Sequence, residues 1–135
     1  PSLSPDGRWI AYASSESGSY EVFVRPFPDA QSAKWQVSTA GGAEPHWTRN
    51  GRELLFVSND GTLTAVQVLP GPTFTMGTRQ ALFSLQAFVG GVRSWDVTPD
   101  DDRFLMIRIG AGGQAGNELI VVENLFPELQ ERGEP

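Results

Sequence analysis

The chain has 135 residues, of which 39% are hydrophobic and 10% aromatic, enough apolar material for a packed core and too much for a disordered segment. Ten Lys and Arg against sixteen Asp and Glu leave a net charge of −6, and no basic block is present, which argues against a nucleic-acid or anionic-membrane surface. The absence of cysteine excludes disulfides, thiolate nucleophiles and Cys-based zinc or iron–sulfur sites, and a lone His46 excludes a multi-histidine metal centre.

In chain order, Trp9 to Ala13, Tyr20 to Arg25 and Lys34 to Val37 read as three strands, divided by Ser-Glu-Ser-Gly and by Pro-Phe-Pro-Asp-Ala. A second set follows at Glu53 to Ser58, Thr62 to Leu69 and Gln80 to Leu85, and a third at Arg103 to Ile109 and Glu118 to Glu123. Asn59-Asp60-Gly61 is a tight hairpin turn, because Asn and Gly accept positive φ and both flanks are continuous strand formers. Fifteen Gly and ten Pro are spread along the chain, as in an all-β fold of short strands. The apolar runs are far shorter than the roughly 18 residues of a membrane span, so no membrane contact is expected of this segment itself.

Three segments superpose. Pro1 to Tyr12 aligns without gaps on Pro45 to Phe56, and Trp95 to Asp101 followed by Arg103 to Ile107 aligns on both with one extra residue, Asp102. The interval suits a repeat of about 40 to 45 residues holding four strands, the size of a propeller blade, and a longer second interval fits a loop insertion around Pro70 to Thr78. Each copy places a short strand before a turn (Pro5-Asp6-Gly7, Arg49-Asn50-Gly51, Pro99-Asp100-Asp101) and a run apolar on both faces after it. Pro presets φ, Asp or Asn bonds local amides, and Gly takes the left-handed conformation. The second copy lacks the Pro and the third the Gly, which should weaken those turns. The reading is an all-β partial β-propeller of about three antiparallel four-stranded blades (units near 1–40, 41–90 and 91–123, tail 124–135), the last lacking its outer strand.

Ser4-Pro5-Asp6-Gly7-Arg8-Trp9-Ile10-Ala11-Tyr12 resembles the TolB-type, WD40-like (PD40) propeller repeats. Ser94 to Met106 with Leu119 to Leu129 is similar to the closing stretch of propellers at the C-terminus of bacterial membrane-anchored serine/threonine kinases and related sensors. The resemblance implies a position on the periplasmic or extracellular side of a bacterial membrane, with the missing blades and missing strand upstream of Pro1. At least four blades, roughly 160 residues, are needed to close a ring, and the start at Pro1 also reads as a piece of something longer.

Ser2, His46 and Asp96 occupy one repeat position, on the short strands that line a propeller's channel, and are the candidate ligand contacts. His46 there is read first as a space-filling histidine with a bonded neighbour. A Ser, a His and an Asp taken from three different blades lack the nucleophile-to-base contact of a hydrolytic triad, so no catalytic residue is assigned. Consecutive acids at Asp100-Asp101-Asp102 point in different directions and do not make a calcium loop. Gly110 to Gly116 precedes a strand where a phosphate cradle needs a helix. No metal or cofactor is expected. Trp9 and Trp47 fit blade packing, whereas Trp35, in an outer strand, is a candidate sugar-stacking surface. The tail from Asn124, with Leu125, Phe126 and Leu129, reads as a short capping helix. These features imply a non-catalytic scaffold taking a protein or small-molecule ligand at the propeller face. A substrate-gating propeller of a prolyl-oligopeptidase-like peptidase, which would need a hydrolase domain after the last blade, and a TolB-like periplasmic accessory protein are the alternatives.

Overall fold

A hydroxyl, a carboxamide or carboxylate, and a glycine two and three residues on are sufficient to reverse this chain. At Ser4-Pro5-Asp6-Gly7, Ser4 donates its hydroxyl to Asp6 Oδ1 (2.7 Å), which also accepts the Arg8 amide (3.1 Å). Ser4 Oγ accepts the Trp9 amide (3.0 Å), and the Gly7 amide closes the turn on the Ser4 carbonyl (2.9 Å) with φ 74 at Gly7. Thr48-Arg49-Asn50-Gly51 repeats the set: Thr48 to Asn50 Oδ1 at 2.9 Å, the Arg52 amide to Asn50 at 2.8 Å, and the Gly51 amide to the Thr48 carbonyl at 3.0 Å, with φ 72 at Gly51. The missing proline therefore removes none of these bonds. Ser58-Asn59-Asp60-Gly61 uses the same device, with Ser58 donating to Asp60 at 2.6 Å. Only Gly61, and not Asn59, takes positive φ there.

The computed structural model describes residues 1–85, 95–98, 103–108 and 118–123. The third-copy turn at Pro99 and Asp100, the acidic run, the glycine-rich loop and the tail lie outside them. All described elements are strands: β1 (Ser2–Leu3), β2 (Trp9–Ser14), β3 (Glu21–Pro26), β4 (Trp35–Gln36), β5 (Ala43–Trp47), β6 (Glu53–Val57), β7 (Thr62–Leu69), β8 (Thr75–Ser84), β9 (Trp95–Val97), β10 (Arg103–Arg108) and β11 (Glu118–Glu123). They form sheets of order β1-β2-β3-β4 and β5-β6-β7-β8 and, among the described residues, a three-stranded sheet β9-β10-β11, every neighbour adjacent in sequence. The loop before β8 is shorter than the expected insertion, because β8 begins at Thr75. The β-forming pair Thr75-Met76 extends it and the Gln67 amide oxygen reaches the Thr78 amide (3.4 Å).

The chain divides into two units, Pro1–Phe83 and Ser84–Pro135. In the first, Trp9 and Ala11 of β2 and Val22 and Val24 of β3 share one buried cluster with Trp47, Leu54, Phe56, Val66 and Val68 of the second sheet. Alternation along each strand sends these side chains to one face. Phe74 fills the cluster's end, with ring centroids 5.8 Å from Trp9, 5.4 Å from Trp35 and 6.3 Å from Trp47. Burial of each such side chain stabilises by about 1.5–3 kcal/mol. Trp35 is half-buried and packs against this cluster, edge-on to Trp9 at 5.6 Å, so its ring serves packing before any sugar surface. Leu55, Leu63 and Ala65, on the opposite face of the second sheet, are buried too. The first sheet differs from expectation, since Ile10 and Tyr12 are only half-buried and Tyr12 stacks on Phe23 (5.9 Å) with its hydroxyl accepting Arg25 Nε (2.7 Å). A cation bonded over that face is compatible with partial solvation.

Polar clasps join the two sheets. Arg8 Nη2 donates to the carbonyls of Gly71 and Pro72, both at 3.0 Å, and Arg79 donates to the Val37 carbonyl and to Thr39 (3.4 Å). In the second unit, β10 pairs with β9 on one side and β11 on the other, and Trp95 is buried.

Candidate functional site

The short strands β1, β5 and β9 carry the three residues that the repeat places in register. Ser2 lies opposite Ala11, His46 opposite Leu55 and Asp96 opposite Leu105. The interval between partners is the same in each pair, so the third copy accommodates Asp102 without a gap, and Leu105, not Met106, stands at the Ala11 position. The ladder corrects the alignment because hydrogen-bond register, not residue similarity, fixes which side chains share a level.

Ser2 is tied to the neighbouring inner strand. Its hydroxyl accepts the Trp47 amide (3.4 Å), and its carbonyl accepts Trp47 Nε1 (3.1 Å). This brings Ser2 to the residue that follows His46. His46 itself is half-buried in a strand whose register shifts between Ala43 and His46. The irregularity has a cause in sequence: Pro45 has no amide to give the ladder, and Glu44 before it holds φ 54, a left-handed conformation that costs a non-glycine residue on the order of 1–2 kcal/mol. Asp96 is exposed, its Oδ1 accepting the Val97 amide (2.9 Å), and belongs to the second unit. The structure thus joins Ser2 to β5, and Asp96 is described apart from them.

A second polar cluster lies apart from the repeated turns. Glu21 is buried at the start of β3; Ser38 donates its hydroxyl to Glu21 Oε2, and the Gly41 amide donates to Oε1 (3.1 Å). Ser38 Oγ also accepts the Val22 amide (2.8 Å). A Cβ on Gly42 would lie 2.4 Å from Ser38 Oγ and 3.1 Å from Val22 Cγ2, so the chain can pass there only as glycine. The signal available in sequence was the pair Gly41-Gly42 just before an inner strand, next to a glutamate at a strand start. These bonds compensate the burial of a charged group and fix the approach to β5.

The charges of the turns are set by the same hydroxyls. Asp6 is held below its ordinary value of 3.8, chiefly because Ser4 donates to it, with the Arg8 amide and charge adding and burial opposing. Asp60 is lowered likewise, first by Ser58 and then by Thr62. Among the described residues no group of three or more His, Asp or Glu stands where it could hold a metal ion.

No known family profile matches the chain. It is similar to an uncharacterized protein of Agrobacterium fabrum, 31% identical over 116 residues, which are 80% of this chain and 39% of that protein. By structure it is similar to TolB from Acinetobacter baumannii (TM-score 0.62, 16% identity, 92% of this chain and 29% of that one). It also matches a putative TolB from Agrobacterium tumefaciens (0.62, 14%, 90% and 44%) and an oligogalacturonate lyase from Vibrio parahaemolyticus (0.58, 17%, 79% and 27%). The chain therefore spans less than half the length of each of these proteins. Its fold is that of a TolB-like β-propeller, of which these residues form a part.

Proposed function

We propose that the chain is a non-catalytic recognition scaffold, the sensor or interaction part of a longer bacterial protein, taking a protein or small-molecule ligand at the face and channel mouth of its ring. The observation that carries this is the use made of its polar side chains. Ser4, Asp6, Thr48 and Asn50 close turns, Arg8 and Arg79 join the two sheets, and Glu21 and Ser38 fix the loop that leads into β5. Such bonds build a rigid frame that presents loops, and rigid frames with variable loops are where recognition sits. His46, on the irregular strand beside the Ser2–Trp47 tie, is the first ligand contact, with Ser2 beside it through that tie; Asp96 holds the equivalent repeat position on β9. The resemblance of the closing stretch to receptor-like kinase propellers supports an extracytoplasmic position and a kinase domain upstream of Pro1.

The test is site-specific photo-crosslinking in the parent protein in cells, with benzoylphenylalanine at position 46, 96 or, as an outer-strand control, 36. A discrete adduct from the first two positions and none from the third is expected. Equal labelling at all three, or none, overturns the assignment. Reading the upstream open frame tests the kinase separately.

A further inference from the structure

We propose that Asn50 is a modification site, deamidating when the second turn opens and re-closing as aspartate, so that this copy passes into the carboxylate form that the first copy already has at Asp6. Of the asparagines, only Asn50 is followed by glycine; Asn59, Asn117 and Asn124 precede Asp60, Glu118 and Leu125. Glycine matters because the reaction is an attack by the next residue's backbone nitrogen, and without a Cβ no side chain shields that nitrogen. The Gly51 nitrogen, its proton taken by hydroxide, bonds to Asn50 Cγ, and the side-chain nitrogen leaves as ammonia. Water then opens the cyclic imide at one of its two carbonyls, giving aspartate or, with the backbone rerouted through the side chain, isoaspartate. Asn50 is exposed, so water and hydroxide reach it.

The closed turn opposes the first step and decides the last. The Gly51 amide donates to the Thr48 carbonyl at 3.0 Å, and Asn50 Oδ1 is held by the Arg52 amide (2.8 Å) and the Thr48 hydroxyl (2.9 Å). A proton engaged in such a bond leaves when the bond opens, so cyclisation waits on opening of the turn. Once aspartate has formed, the turn can close on it as it does twice elsewhere. Asp6 and Asp60 each accept a serine hydroxyl and the amide two residues on, and the Gly7 and Gly61 amides close on the Ser4 and Ser58 carbonyls at 2.9 Å. Isoaspartate instead adds a methylene to the backbone between positions 50 and 51, which carries the Gly51 and Arg52 amides out of register with their acceptors. Isoaspartate is therefore left in an open turn and can cyclise again, whereas aspartate is held, and the folded chain accumulates aspartate. Each conversion adds one negative charge to a chain that carries −6.

The experiment incubates the full chain at mildly alkaline pH, with and without guanidinium chloride, and follows each asparagine by peptide mapping with fragmentation that separates aspartate from isoaspartate. In denaturant Asn50 should convert far faster than Asn59, Asn117 or Asn124, with isoaspartate the larger product. The native chain should convert at Asn50 about ten-fold more slowly, with aspartate the larger product. Thr48→Val, which keeps the volume and removes the hydroxyl, should raise the native rate about five-fold and leave the denatured rate unchanged. No conversion at Asn50 in denaturant, equal rates in the two conditions, or an isoaspartate share that does not fall on folding overturns the proposal. All three are read on the unmodified chain, so the test stands even where Thr48→Val fails to fold.

Discussion

Ser4 donates its hydroxyl to Asp6 at 2.7 Å, and Thr48 does the same to Asn50 at 2.9 Å: one turn, built once with a carboxylate and once with an amide. Only the first can titrate. The folded state holds the Asp6 carboxyl below its ordinary 3.8, so the bond's contribution is fully present above that value and is lost as pH falls through the lower, folded value. The urea midpoint should decline between pH 5 and pH 2.5, and Asp6→Asn should flatten part of that decline while leaving the neutral-pH midpoint nearly unchanged. An unchanged acid slope in the variant would show that Asp6 is not coupled to folding.

Ser4 is buried and serves both as donor to Asp6 and as acceptor from the Trp9 amide. Ser4→Ala leaves that amide without its side-chain partner and should cost about 1–2 kcal/mol, whereas Ser4→Thr, the residue of the second copy, should restore most of it. Urea denaturation of the pair decides this.

Phe74 lies between Trp9, Trp35 and Trp47. Phe74→Ala should cost about 3–5 kcal/mol and shift tryptophan emission to the red, because the cavity wets three indoles. Trp35→Ala should likewise lower the melting temperature, as expected of a half-buried ring packed against the core.

Much of this architecture was legible in the residues. Strands at Trp9, Glu53 and Arg103 follow from apolar runs after a turn, and the turns follow from Asp or Asn before Gly, because both signals are local. Ser4 was read as part of the motif, but the bonds that Ser4 and Thr48 make to Asp6 and Asn50 were not, and those bonds persist in the copy without proline. Trp35 and β8 were misjudged for a different reason. Whether an outer-strand tryptophan is covered depends on Phe74, which arrives from the next sheet, and the start of β8 depends on Gln67 reaching across from β7. The equivalent ladder positions of Ser2, His46 and Asp96, each in its own sheet, could be aligned from sequence, but the Ser2–Trp47 tie and the strained Glu44 are products of sheets meeting and of a proline in a ladder.

The Glu21 cluster yields the most discriminating substitution. A carboxylate offers two acceptor oxygens, and here one accepts from Ser38 and the other from the Gly41 amide. Glu21→Gln keeps the volume but turns one acceptor into a donor. Facing Gly41, the new amide opposes an N–H; facing Ser38, it forces the hydroxyl hydrogen to turn away, although Ser38 Oγ must still accept from Val22. Either arrangement leaves a buried donor unmatched, so the variant should lose about 1–3 kcal/mol, with faster hydrogen exchange of the Gly41 and Val22 amides. Ser38→Ala in the same background should then add less than it does alone, a coupling of about 0.5–3 kcal/mol in a double-mutant cycle. Strict additivity would mean that Glu21 and Ser38 stabilise the chain independently, and that the carboxylate does not organise the approach to the inner strand bearing His46.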